Sequence, residues 1–194
     1  MARQLKMMGI CGTYGLDSAN GRMLEIVSEL LKEQGIEWLV WDNKMNPLPF
    51  VGEEGCWDHP NVKKYKEMAS SADAFVLSSP EYHGTMSGVM KNSLDWLSFD
   101  QTTGKVFGFI STLGGQANTT TLNHMRIVAR WIHGVSIPEQ LVIAKVKSVF
   151  DEDGNIIDNN IRVADFTKNL VISDSERQKK QKELFSKKAV LQLK

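Results

Sequence analysis

Residues 74–97 constrain the fold of this chain more than any other segment. An apolar run, Ala74-Phe75-Val76-Leu77, is too short for a helix and passes into Ser78-Ser79-Pro80. A tight polar stretch follows, Glu81-Tyr82-His83-Gly84-Thr85, and then Val89, Met90, Leu94, Trp96 and Leu97 recur at helical spacing. A strand handing over to a helix through a short polar loop is the building unit of a parallel sheet, whose neighbouring strands need a crossover. In open sheets of this kind ligands bind outside the carboxyl ends of the strands, where such loops emerge. Pro80 stiffens the exit, and Gly84 lets the backbone pass close to something flat or anionic.

The same rhythm runs through the chain. Residues 5–11 read as a first strand, 12–20 as its exit loop, and Met23, Leu24, Ile26, Val27, Leu30 and Leu31 as the buried stripe of a helix that Gly35 stops. Further strands are expected at 36–41, 74–78, 106–111 and 140–144, with helices at 61–71, 87–97, 120–133 and 159–186. The last helix is expected to break around Ser173-Asp174-Ser175, and residues 150–155 to form a turn or short hairpin. Five strands alternating with helices predict an α/β, flavodoxin-like, doubly wound parallel sheet of order 2-1-3-4-5. Residues 1–173 form the domain in this reading, and 174–194 a charged helical extension.

Composition narrows the function. Basic and acidic residues balance at 23 each, so no overall field favours nucleic acid or an acidic membrane. The extension carries a net charge of +4, which leaves −4 on the body. Two cysteines, Cys11 and Cys56, suit neither a four-ligand metal site nor a disulfide scaffold, and Cys11 reads as a buried small hydrophobe. No apolar run approaches the roughly 18 residues of a membrane span, and no leader pattern opens the chain, so a cytoplasmic protein is expected.

Three strand-exit loops hold the residues suited to chemistry. The first, Gly12-Thr13-Tyr14-Gly15-Leu16-Asp17-Ser18-Ala19-Asn20, sets small hydroxyls and backbone amides before a helix N-terminus, which makes an anion site. Ser18 or Asn20 serves equally as a plain N-cap. The loop lacks G-x-G-x-x-G, so any nicotinamide cofactor has no dedicated cradle here. In the third loop, Ser111-Thr112-Leu113-Gly114-Gly115-Gln116, paired glycines permit the close approach of a ring or an ordinary turn. Lys91 and Asp95 pair weakly along a helix, Met86, Met90 and Met125 pack in the core, and His124 and His133 have no metal spacing. No metal is assigned.

The wording P-E-Y-H-G followed by G-V-M-K-N-S-L-D-W-L-S strongly resembles the NADPH-dependent FMN reductase family of flavodoxin-like proteins. That family reads P-E-Y-N before a Lys-Asn-x-x-Asp-Trp-Leu helix, so His83 is a departure. The resemblance spans roughly residues 5–171, including Val149-Phe150-Asp151-Glu152-Asp153-Gly154. It implies flavin mononucleotide (FMN) as cofactor, its phosphate held by a first loop of pattern G-S-x-R-x-x-S-x-N, on which Thr13, Ser18 and Asn20 fall. Gly15 stands where the family has Arg and Asp17 adds a negative charge, which implies either a weaker hold on the phosphate or an Arg22 that reaches back to compensate. The flavin ring is expected against Pro80, Glu81, Tyr82, His83, Gly84 and Thr85, and against Ser111, Leu113, Gly114 and Gly115.

The resemblance further implies an NADPH- or NADH-dependent enzyme working by ping-pong, with no essential protein acid or base. Its acceptor is a small molecule: free flavin, a quinone, an azo dye or an oxyanion. His83 is read as a backbone contact rather than a catalytic histidine. A homodimer or homotetramer is expected, because Met86, Met90, Trp96 and Phe99 lie beside the key loop where one small domain does not cover them all. Two other readings are a non-enzymatic flavin electron carrier, which the balanced charge argues against, and a flavodoxin-like binding module without FMN.

Overall fold

The computed structural model describes residues 3–191, with side chains described as far as Glu176 and again at Lys179. Five parallel strands form the sheet: β1 (Lys6–Cys11), β2 (Glu37–Trp41), β3 (Ala74–Tyr82), β5 (Val106–Thr112) and β6 (Val135–Ile143). A two-residue strand β4 (Thr85–Met86) pairs antiparallel with the end of β3. The order β2-β1-β3-β5-β6 is the expected 2-1-3-4-5 once this short strand is counted. Between the strands run α1 (Ala19–Glu33), α2 (Pro60–Ser71), α3 (Gly88–Asp95), a single turn α4 (Phe99–Thr102) and α5 (Thr120–Trp131), and α6 (Val163–Leu191) follows β6.

Side chains alternate across the sheet, so successive residues of one strand feed opposite layers. Ala74, Val76, Val106 and Ile110 pack with Met23, Leu24 and Val27 of α1 and with Phe166 and Leu170 of α6. Phe75, Leu77, Phe107 and Phe109 pack on the other face against Val62 and Tyr65 of α2, Met90 and Leu94 of α3, and Leu122 and Met125 of α5. Two buried layers on a central parallel sheet make the doubly wound arrangement.

Three elements differ from expectation. β3 runs beyond Ser78 through Pro80 to Tyr82, because β4 folds back on it with Glu81 opposite Met86 and Tyr82 opposite Thr85. The connecting pair, His83 at φ 52° and Gly84 at φ 78°, has the two positive φ values of a type I′ hairpin turn. β6 begins at Val135 rather than near 140, and its pairing jumps from Phe107–Ser136 to Phe109–Gln140. The displaced carbonyls of Ile137 and Pro138 accept from Arg126 at 2.8 and 3.0 Å, so a side chain of α5 replaces the missing ladder bonds. α6 is continuous through Ser173–Ser175, and Asp174 is buried in the domain. The tail reading at residues 192–194 lies outside the described residues. Residues 150–156 do close a hairpin-like turn through a Phe150–Ile156 bridge.

The Lys-Asn-x-x-Asp-Trp helix is structural. Asn92 donates to the carbonyls of Leu48 and Pro49 (3.2 Å each), and Trp96 Nε1 donates to Pro49 O at 2.8 Å, pinning the 47–50 loop against α3. Trp96, Met90 and Met86 are buried within the chain itself, whereas Phe99 is half exposed. Of the four side chains that one small domain is expected not to cover completely, Phe99 is the one left exposed. Among the described residues no helix is long and apolar enough to cross a membrane.

Candidate functional site

Register brings the carboxyl ends of β1, β3 and β5 side by side: Cys11 pairs with Ser78 and Pro80 with Thr112. The first loop packs directly on β3. Gly12 N donates to Ser78 O (2.7 Å), and a Cβ on Gly12 would lie 2.8 Å from the Ser79 backbone, so only glycine permits this approach. Ser87, the N-cap of α3, donates from Oγ to Gly12 O (2.5 Å), while its backbone N–H donates to Ser79 Oγ at 3.1 Å.

Within the first loop, Thr13 Oγ1 and Ser18 Oγ lie 2.6 Å apart, and both hydroxyls bond to Gly15 O, at 2.8 and 3.3 Å. Ser18 is also the N-cap of α1, accepting from Gly21 N at 3.2 Å. The hydroxyls thus shape the loop from inside. Among the described residues, no backbone amide of residues 13–16 donates a hydrogen bond, and with the N-terminus of α1 they leave a concentration of unused donors. Asn20 is buried, accepts from Ser78 Oγ at 3.1 Å, and ties α1 to β3 from beneath the loop. Of the two alternatives for Gly15, Arg22 reaching back is not the one seen: its Nε donates to Gly154 O (2.7 Å) and its NH1 pairs with Glu25 (2.8 Å), which commits it to the 150–156 turn.

The β3–β4 hairpin presents Tyr82 and His83 to solvent. Tyr82 is 57% exposed. The hairpin is clamped to α5 at two points. Asn118 Nδ2 and Thr121 Oγ1 (3.0 Å) donate to the two carboxylate oxygens of Glu81, and Thr85 Oγ1 bonds His124 Nδ1 at 2.7 Å. Asn118, Thr121 and His124 were not singled out for this role from sequence. They lie 37 to 40 positions from their partners, and local spacing carries no signal of such a contact.

In the third loop, Ser111 is sealed in the chain and its Oγ has no hydrogen-bond partner among the described residues. Leu113 is nearly buried, its N–H donating to Ile143 O, while Gly115 O accepts from Lys145 N, both at 3.0 Å. Gly114 and Gly115 are exposed, adopt no positive φ, and a Cβ on either would meet no protein atom within 4 Å.

A second feature lies away from this edge, towards the amino ends of β5 and β6. Phe99, Ile127 and Trp131, 50%, 64% and 77% exposed, border an apolar cavity floored by Leu94, Leu97, Val128 and Ile132. His133, at φ 62°, stacks on Phe99 with ring centroids 4.2 Å apart.

Comparison with known proteins agrees with this architecture. The family described as NADPH-dependent FMN reductase matches residues 5–148. The FMN-dependent NADPH-azoreductase of Staphylococcus aureus is 31% identical over 156 residues, covering 78% of this chain and 83% of that protein. Among solved structures, FerB, a flavoenzyme NAD(P)H:(acceptor) oxidoreductase from Paracoccus denitrificans, superposes with a TM-score of 0.69 at 19% identity, over 90% of this chain and 98% of the other. A flavodoxin from the domain Archaea superposes with a TM-score of 0.61 at 10% identity, over 90% and 99%. At these identities the two structures speak for a flavodoxin-like fold.

Proposed function

The chain belongs to the NADPH-dependent FMN reductase family, and we propose that it moves electrons from NADPH or NADH, through FMN held at the carboxyl edge of its sheet, to a small-molecule acceptor. That acceptor is free flavin, a quinone, an azo dye or an oxyanion such as chromate. When bound, FMN supplies the hydride chemistry; the protein supplies binding, orientation and access.

The observation that carries the reading is Gly114-Gly115. Neither glycine is required by backbone conformation or by packing against the protein, so their lack of side chains serves something that approaches from outside. A flat ring lying over them and against the hairpin of Pro80, Glu81, Tyr82, His83, Gly84 and Thr85 fits that opening, with Ser111 and Leu113 as its floor. The unused amides of residues 13–16 suit the phosphate. Thr13 and Ser18 hold that loop in shape, and Asn20 anchors it from the core. The clamp of Glu81 and Thr85 to α5 keeps the hairpin in place as nicotinamide and acceptor occupy the same open face in turn. No side chain is assigned as an acid or base, since proximity and stacking supply most of the rate.

Purified protein incubated with FMN is expected to retain it through gel filtration and to oxidise NADPH or NADH steadily with free FMN or a quinone. Protein that retains no flavin overturns the reading, and flavin-loaded protein that oxidises neither nucleotide is an electron carrier instead.

We also infer a cytoplasmic homodimer, or a dimer of dimers, joined through the face of Phe99, Ile127 and Trp131. Exposed apolar surface of this kind on a single protomer supports it. The balanced charge supports action on small molecules without nucleic acid or membrane.

A further inference from the structure

The first loop raises a question of charge. A phosphate monoester carries about −1.5 to −2 at neutral pH, the amides of residues 13–16 are neutral, Asp17 is anionic, and Arg22 is bound to Gly154 and Glu25. Among the described residues, Lys44 is the one basic side chain that bonds to residues 12–20: its Nζ lies 3.2 Å from Asp17 Oδ2.

Lys44 comes from the loop after β2, and that loop is fixed. Asp42 Oδ1 accepts from Lys44 N at 2.8 Å, and Asp42 O accepts from Asn46 N at 2.9 Å. Asn43 beside it is buried, bonded to Trp41 Nε1 (3.3 Å) and placed 3.5 Å from Ser93 Oγ of α3. The backbone of Lys44 is therefore set, while its side chain, 58% exposed, remains able to swing. The aliphatic stem lies across Gly15. A Cβ at that position would come within 3.2 Å of Lys44 Cδ and 2.4 Å of Asp17 Oδ1, so glycine at 15 makes room for the lysine and its carboxylate partner. The Lys44 ammonium also holds the Asp17 carboxyl below the usual carboxylate range.

We propose that Lys44 supplies the positive charge for the phosphate of bound FMN, reaching over Gly15 from the second strand-exit loop, and that Asp17 holds its ammonium in place when no phosphate is present. This rests on the flavin reading of the site. A lysine on a flexible stem suits the task, because its three donors can move from one carboxylate to the phosphate oxygens without moving the backbone. Asp17 then acts as a built-in competitor: binding FMN means exchanging the Asp17 contact for the phosphate contact, and leaves Asp17 as a nearby like charge.

The test compares FMN with riboflavin, which has the same ring and no phosphate, by flavin fluorescence titration of the purified protein. Lys44→Gln is expected to raise the FMN Kd by about tenfold or more, as for a lost hydrogen bond to a charged group, while the riboflavin Kd stays within about twofold. Lys44→Arg is expected to keep FMN affinity within a few-fold of wild type. Asp17→Asn is expected to tighten FMN and leave riboflavin unchanged. An unaltered FMN Kd in Lys44→Gln, equal shifts for the two flavins, or weaker FMN binding in Asp17→Asn overturns the proposal while the flavin site stands. Wild-type protein that binds neither flavin removes the underlying reading and the proposal with it. Thermal melting checks that each variant is folded.

Discussion

Thr85 Oγ1 lies 2.7 Å from Nδ1 of His124, a bond between residues 39 positions apart that fastens the outer strand of the hairpin to the middle of α5. Glu81 makes the matching contact on the inner strand with Asn118 and Thr121. The surface we assign to the flavin ring is therefore held in place by side chains of α5 and the loop before it.

This clamp predicts a separable effect. Thr85→Val keeps the shape of the side chain and removes the hydroxyl; the loss of one such bond costs about 1 kcal/mol. Urea unfolding is expected to show that decrease, and flavin titration a weaker affinity for FMN and riboflavin alike, because the ring surface rather than the phosphate site is loosened. An effect confined to FMN would count against this role.

At the tip, His83 sits at φ 52° beside Gly84 at φ 78°. Asn adopts this left-handed region more readily than most residues and is the preferred first residue of a type I′ turn. His83→Asn is expected to keep turnover within about tenfold, a barrier change below roughly 1.4 kcal/mol, with stability equal to or slightly above wild type. His83→Val is expected to lose roughly 1–2 kcal/mol from the strained backbone. A fall of several orders of magnitude in the turnover of His83→Asn, with FMN still bound, would make the histidine side chain a catalytic acid.

Thr13 and Ser18 are bonded to each other and to Gly15 O. The Thr13→Ala, Ser18→Ala double variant is expected to lose FMN on gel filtration, since the amides no longer converge. Loss of the α1 cap should lower stability by only about 1 kcal/mol, leaving the circular dichroism spectrum native. Stoichiometric flavin retained by this variant would move the phosphate site elsewhere.

Trp131 is 77% exposed on the apolar face with Ile127 and Phe99. Trp131→Glu places a charge in the inferred interface, where burying an unpaired carboxylate is strongly unfavourable. Light scattering at micromolar concentration is expected to give a dimer or tetramer for wild type and a monomer for the variant. A monomeric wild type would defeat the assembly.

Much of the site was legible in local pattern. Short apolar runs separated by helical spacing dictate alternating strands and helices, and such a chain closes as a parallel sheet because crossovers are right-handed. That topology alone sends residues 12–20, 80–85 and 112–116 to one edge. The cap at Ser18 and the helix after Pro80 were readable for the same reason, since caps and amphipathic faces depend on residues three or four apart.

What only the tertiary structure decided are contacts whose partners are far apart in the chain. Asn20 faces the core because Ser78 of a neighbouring strand is there to meet it. Arg22 is drawn to Gly154, 132 positions away, and so cannot serve the first loop. The β6 distortion persists because Arg126 meets its carbonyls, and Lys44 reaches Asp17 because β1 and β2 lie side by side. Periodicity determines which face of an element is apolar, but a polar side chain takes its partner from whatever the register sets opposite it, and register is a property of the assembled sheet.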